Sequence, residues 1–252
     1  MRASARGTSS VMRVPYDLHV HSCLSPCGDA GMTPNSIAGM ASLNGLKLLA
    51  LTDHNTTGNC AAFYTACRRY GVVPVAGAEL TTAEDIHLVA LFRSLEAALD
   101  FNHELDAHRI LYPNRPEIFG EQLYVDDSDA VLASEPNLLT NALSLSLDEV
   151  ANLVRRFDAA VYPAHIDRES NGAIAVLGDF PHESRFSAFE LHSGALLSEY
   201  STRFALTGLS PVVSSDAHVL WDISEGENAL SLEGESEEEI RASLFTYLGG
   251  AS

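Results

Sequence analysis

The sequence predicts an α/β fold whose mainly parallel sheet closes, or nearly closes, into a barrel. Three observations carry that expectation. Short apolar runs alternate with stretches patterned as helices. Clusters of histidine and acid follow the carboxyl ends of several of those runs, where barrels of this class carry their chemistry. The length of 252 residues suits one α/β barrel around one sizeable core. An open doubly wound sheet is the competing architecture.

Residues 1–13, with Arg2, Arg6 and Arg13, lack the continuous apolar stretch of a secretory signal and read as a flexible tail, so the barrel domain is expected over 14–252. Tyr16–Val20 reads as a strand. Thr33 and Pro34 open a helix, as cap and first-turn residue, which stops at Gly45. Leu46–Leu51 is a compact apolar run of buried-strand type, and a second helix ends near Gly71. Val72–Ala76 and Ile86–Phe92 supply further strands. Between about 94 and 145 the rhythm fails, and an insertion is expected there near the active-site rim, carried by the polar, Pro- and Asn-containing stretch Tyr112–Asn141. Ser146 with Glu149 forms a capping box whose helix leads to the strand Ala159–Tyr162. Ser187–Leu191 and Pro211–Ser214 repeat the strand theme, and Ser236 with Glu239 caps a last helix, its acidic start exposed.

Thirty-four acids stand against 15 Lys and Arg, a formal charge of -19. Such a chain repels polyanions, which disfavours long nucleic acid as a partner. Its 46% hydrophobic content is that of a globular protein, and no apolar stretch approaches the roughly 20 residues that span a bilayer. No membrane partner is expected, and the cytoplasm is the expected compartment, with Cys23, Cys27, Cys60 and Cys67 as reduced thiols.

Imidazole and carboxylate hold divalent transition metals in open, reactive sites. Asp17, His19 and His21 alternate along the first strand and so share a face. Asp53-His54, Glu79 with His87, His165, and Asp216-Ala217-His218 each follow an apolar run. One such cluster is a weak signal. Their recurrence at strand ends points to a site for several ions. His103, His108 and His182 lie away from these blocks and read as solvated surface residues.

The ordered blocks Asp17-Leu18-His19-Val20-His21, Leu51-Thr52-Asp53-His54, Pro163-Ala164-His165 and Ser215-Asp216-Ala217-His218 resemble those of the PHP (polymerase and histidinol phosphatase) family of metal-dependent phosphoesterases. The resemblance implies a distorted (β/α)7-type barrel with two or three divalent ions, Mn, Fe or Zn, at its carboxyl rim. It implies that His19, His21, Glu79 and Asp216 hold one ion and that Glu79, His87 and His165 hold a second, with Glu79 as bridge. A third would use Asp29, His54 and His218. Two cations sharing a water lower its pKa enough to supply hydroxide near neutral pH, and they stabilise charge on the phosphoryl oxygens.

Arg168 is a candidate to bind phosphate, against the alternative of pairing with Asp167 or Glu169, and His192 is a candidate proton donor to the leaving oxygen. Asp17 and Asp53 adjoin ligands and are expected to orient metal-bound imidazoles through their second nitrogen. The expected activity is hydrolysis of a small phosphomonoester, a nucleotide or metabolite, with release of phosphate. A phosphodiesterase or exonuclease acting on short oligonucleotides or nucleoside bisphosphates is the alternative, and a non-catalytic metal-binding domain a third. An amidohydrolase would place a lysine or its carbamate between the metals. Lys47, the only lysine, precedes its strand and so lies at the wrong end for that role.

Overall fold

A computed structural model describes residues 10–249. The tail expected over 1–13 lies outside the described residues as far as residue 9. Its last residues belong instead to β1 (Val11–Asp17), which pairs antiparallel with the distant β10 (Ala229–Glu233) from Val11 opposite Glu233 to Pro15 opposite Ala229.

Between those strands the order is α1 (Pro34–Leu43), β2 (Leu48–Leu51), α2 (Cys60–Arg69), β3 (Val73–Thr81), β4 (His87–Phe92), α3 (Leu95–Leu105), α4 (Pro116–Phe119), β5 (Leu123–Val125), β6 (Val131–Ser134), α5 (Leu147–Arg155), β7 (Ala159–Pro163), α6 (Ala173–Leu177), β8 (Ala188–Leu191), α7 (Leu197–Arg203) and β9 (Ser210–Val213); α8 (Glu237–Tyr247) follows β10. Thr33 caps α1 by accepting from Ser36 N, and the capping boxes of Ser146 and Ser236 both form.

The sheet is a curled half-barrel of six strands in the order β10-β1-β2-β3-β4-β7. β1, β2 and β3 run parallel, and all four residues of β2 are buried, as a strand covered on both faces requires. The mainly parallel expectation fails at β4, which lies antiparallel to both β3 and β7. The cause is local, because the connection over 82–86 is too short for the helical crossover of about a dozen residues that a parallel return needs. β8 and β9 form a separate parallel pair. Backbone hydrogen bonds link that pair to the ends of the sheet, from Ile166 N to Glu190 O at 2.9 Å and from His21 N to Ala217 O at 3.0 Å, with side-chain bonds such as Leu18 N to Ser214 Oγ and Val213 N to Tyr16 OH beside them.

The expected insertion is shorter than 94–145. Its first segment, α3, buries Ala98, Phe101 and Leu105 in the main core and so belongs to the barrel. Beyond it, the β5–β6 hairpin and the segment after it are tied to the rim: Asn59 Nδ2 donates to Leu123 O at 3.0 Å and Asn55 Nδ2 to Leu139 O at 2.7 Å. Among the described residues no helix is long and apolar enough to cross a membrane.

Candidate metal centre

Glu79 is the hub. It lies near the end of β3, is 1% exposed, and an isolated parallel bridge pairs it with His54 in the loop between β2 and α2. His19 and His21 lie just past β1, held by Val20, whose backbone bridges to Ala217. His165 and Asp216 lie in the loops that begin after β7 and β9, and both adopt the left-handed region, with φ of 26° and 55°. Such a backbone costs an ordinary residue of order 1–3 kcal/mol and is retained where surrounding structure imposes it. Here it occurs at two residues facing Glu79 and its neighbours.

The side chains converge. His19 Nε2 and His21 Nε2 stand 3.3 and 3.1 Å from Asp216 Oδ1, and 3.4 and 3.3 Å from the two Glu79 oxygens. His54 Nδ1, His165 Nε2 and His87 Nδ1 reach Glu79 at 3.1, 3.0 and 2.7 Å. Three groups have ligand atoms all within 4.8 Å of one another: His19, His21, Glu79 and Asp216; His54, Glu79 and His87; and His21, His54 and His218.

The first group is the one the resemblance implied. In the second, His54 stands where His165 was expected, although His165 touches the same carboxylate. In the third, His21 stands in place of Asp29. Asp29 is exposed and its Oδ1 accepts from Gly31 N at 2.7 Å, closing its own turn instead of facing the cluster.

These donors fit divalent cations. Asp216 Oδ1, His54 Nδ1 and His165 Nδ1 are buried without a hydrogen-bond partner among the described residues, a costly state that a shared cation relieves at the first two atoms. Electrostatics agree. Burial would raise the Glu79 carboxyl, but His87, His19 and His54 hold it well below the usual range. Burial would lower His21, yet the adjacent Asp216 and Glu79 carboxylates push it up to about 9. His218 is lowered to about 4 by burial and by His21.

Neither Asp17 nor Asp53 touches an imidazole, contrary to expectation. Both are fully enclosed and spend their oxygens on backbone and hydroxyl donors. Asp17 accepts from Ser215 Oγ at 2.6 Å and from the backbone of Ser215 and Ser224, each at 3.1 Å, fixing the loop that carries Asp216. Asp53 accepts from Ser22 N, Ser22 Oγ and Ser25 Oγ at 2.6–2.7 Å. Ser25 Oγ lies 3.0 Å from His21 Nδ1, so Asp53 acts on His21 through that hydroxyl.

The residue that orients an imidazole directly is Glu190, to which the sequence reading gave no role. Its Oε1 takes His19 Nδ1 at 2.8 Å and His165 N at 3.1 Å, leaving His19 Nε2 to face the cluster. A buried acid in the apolar strand Ala188–Leu191 was the available signal.

Arg168 does not pair with Asp167 or Glu169. Its Nη1 donates to Asp216 Oδ2 at 2.5 Å and its Nη2 to His192 Nδ1 at 3.2 Å, while Asp167 accepts from the backbone of His192 and Ser193. His192 is exposed at the rim. Nearby, the 3-10 turn Leu220–Asp222 follows His218 and carries Trp221, the only tryptophan, 77% exposed. His103 and His182 are exposed and His108 half-buried, and none belongs to a group of converging ligand atoms.

The chain is similar to several known proteins. An error-prone DNA polymerase of Symbiobacterium thermophilum is 36% identical over 90 residues, 36% of this chain and 8% of that one. A 3',5'-nucleoside bisphosphate phosphatase of Chromobacterium violaceum is 36% identical over 78 residues, 30% of this chain and 26% of that one. The chain thus matches well under a third of the length of either relative. The lesion-specific endonuclease PfuEndoQ from Pyrococcus furiosus superposes with a TM-score of 0.62 at 18% identity, over 96% of this chain and 57% of that one, a likeness of fold. Residues 17–169, which hold all the blocks but the last, match the PHP domain, and the chain belongs to that family.

Proposed function

We propose that the chain is a metal-dependent phosphoesterase that hydrolyses a small phosphomonoester, a nucleotide or metabolite, and releases phosphate. The observation that carries this is the convergence of His19, His21, Glu79 and Asp216 from separate strand ends, with a guanidinium on Asp216. His19, His21, Glu79 and Asp216 would hold one ion; His54, Glu79 and His87, with His165 at hand, a second; and His21, His54 and His218 a third. Such ions supply an acidified water as nucleophile and positive charge against the phosphoryl oxygens.

The chain's own groups do the rest. Arg168, already held at the edge of the cluster, offers two parallel donors to a phosphate. Once Arg168 turns to the phosphate, His192 Nδ1 is free to take a proton, and the imidazolium can give its Nε2 proton to the departing oxygen and remain as a neutral ring. Glu190 keeps His19 in the tautomer that presents Nε2. The buried walls around Glu79 exclude bulk water, so charges there act at low effective dielectric.

The relative from Chromobacterium violaceum supports a second reading, with a nucleoside bisphosphate as substrate. Either reading is tested by His19→Ala and Asp216→Ala. Hydrolysis of p-nitrophenyl phosphate by the metal-loaded protein should fall by orders of magnitude with the circular dichroism spectrum unchanged; full turnover in either variant refutes the assignment.

A further inference from the structure

His54 is common to the second and third groups of converging ligand atoms and has no part in the first. Its displacement would break those two groups and leave His19, His21, Glu79 and Asp216 together. Glu190 and Ser25 fix the rings of His19 and His21 through Nδ1, but among the described residues no hydrogen bond orients the ring of His54. Its aim at Glu79 is therefore set by its backbone.

The next residue holds that backbone. Asn55 is buried and left-handed, with φ of 48°, a region that asparagine enters more readily than most residues. All of its polar groups are engaged, on two different bodies. Towards the barrel, its N donates to Glu79 O at 2.8 Å and its Oδ1 accepts from Thr81 N at 3.0 Å, both on β3. Towards the segment beyond α3, its Nδ2 donates to Leu139 O and Asn141 O at 2.7 and 2.9 Å, and its carbonyl accepts from Arg109 Nε and Nη2 at 3.0 and 2.6 Å.

The Arg109 side chain is only 14% exposed, and its ion pair is with Asp106, 3.0 Å away and itself 53% exposed. A guanidinium so far withdrawn from water is costly unless its donors are met. Two of them converge on one backbone oxygen, where charge-assisted bonds are stronger than neutral ones. Apolar packing alone could cover the rim. A pair of donors on the carbonyl that follows a ligand does more, because it fixes the rotation of the chain that aims the imidazole.

We infer that the segment beyond α3 positions His54 through Arg109 and Asn55, and so governs uptake of the second and third ions while the first is held by the barrel without it. Arg109 and Asn55 are positioning residues, since neither belongs to a group of converging ligand atoms. The inference rests on the metal sites of the phosphoesterase reading above and divides them into one independent site and others that exist only while this segment is docked.

The test is calorimetric titration with manganese, and metal content after dialysis, for the unmodified protein, Arg109→Ala and Asn55→Gly. Glycine accepts the left-handed backbone and removes only the amide. Circular dichroism and a thermal melt of the metal-free proteins check folding, and Arg109→Lys replaces Arg109→Ala if the latter does not fold. The first binding step should be unmoved and the later steps weakened by roughly 10–100-fold, with p-nitrophenyl phosphate turnover lost at low manganese and regained as manganese is raised. A general loosening of the fold would not divide the steps in this way. Equal weakening of every step, later steps as tight as in the unmodified protein, or uptake of a single ion by the unmodified protein overturns the inference. If the unmodified protein takes up two or more ions yet leaves p-nitrophenyl phosphate intact, the phosphoesterase reading falls while the binding steps still decide the inference.

Discussion

Around Glu79 stand the imidazoles of His19, His21, His54, His87 and His165, each with a nitrogen within 3.4 Å of its carboxylate. Without a cation the cluster holds itself together by protons, and His21 shows the sign. Because its pKa is raised to about 9 by Asp216 and Glu79 against the effect of burial, its protonation stabilises the metal-free fold fully below about 6.5 and that contribution is lost as pH rises through about 9. Metal needs the neutral ring, so affinity should run the other way, rising with pH towards about 9. Calorimetry in buffers of different ionisation enthalpy should register proton release on binding near pH 7; a buffer-independent heat would contradict it. Glu190→Gln should weaken metal binding by roughly 10–100-fold while the chain still folds, measured by chelator competition. Arg168→Ala should raise KM or lower kcat with metal content unchanged, and metal loss would mark it as structural instead. The ligands were legible because they lie in short contiguous blocks. Glu190 and Ser25 were not, since what they do depends on partners that only the fold brings near, such as His19 for Glu190.

At the scale of elements, the strands and capped helices were largely legible from apolar runs and from Ser146-x-x-Glu149 and Ser236-x-x-Glu239, because those signals are local. Strand direction was not read, although the shortness of 82–86 carried it. The hairpin has a chemical result: with β4 turned back against β3, His87 pairs in register with Thr81 and its side chain meets Glu79. The place of α3 was misjudged because its apolar positions, Ala98, Phe101 and Leu105, are spread among polar ones. Phe101 is fully buried against Phe92, with ring centroids 4.9 Å apart. Phe101→Ala should therefore cost about 3–5 kcal/mol in denaturant unfolding. A cost near zero would return α3 to the status of an ornament on the barrel.

The molecule as a whole carries a formal charge of -19 and gathers Glu79 and Asp216 at one end of the curled sheet and the β8–β9 pair that hydrogen bonds tie to it. Cations bound there would join residues from β3, β4 and the loops after β1, β2, β7 and β9, so they should act as cross-links present only in the folded state. Removal by a chelator should lower the melting temperature by several degrees, and returning Mn or Zn should restore it; an unchanged melt would mean that the ions add nothing to the fold. The choice of read-out for that melt follows from Trp221. An indole already 77% exposed gains little further contact with water when the chain unfolds, so its emission is a poor witness to denaturation. The same residue is the chain neighbour of Asp222, which lines a cavity beside Asp216 and His218, so a change in its emission on adding a ligand would report occupancy there with no label attached.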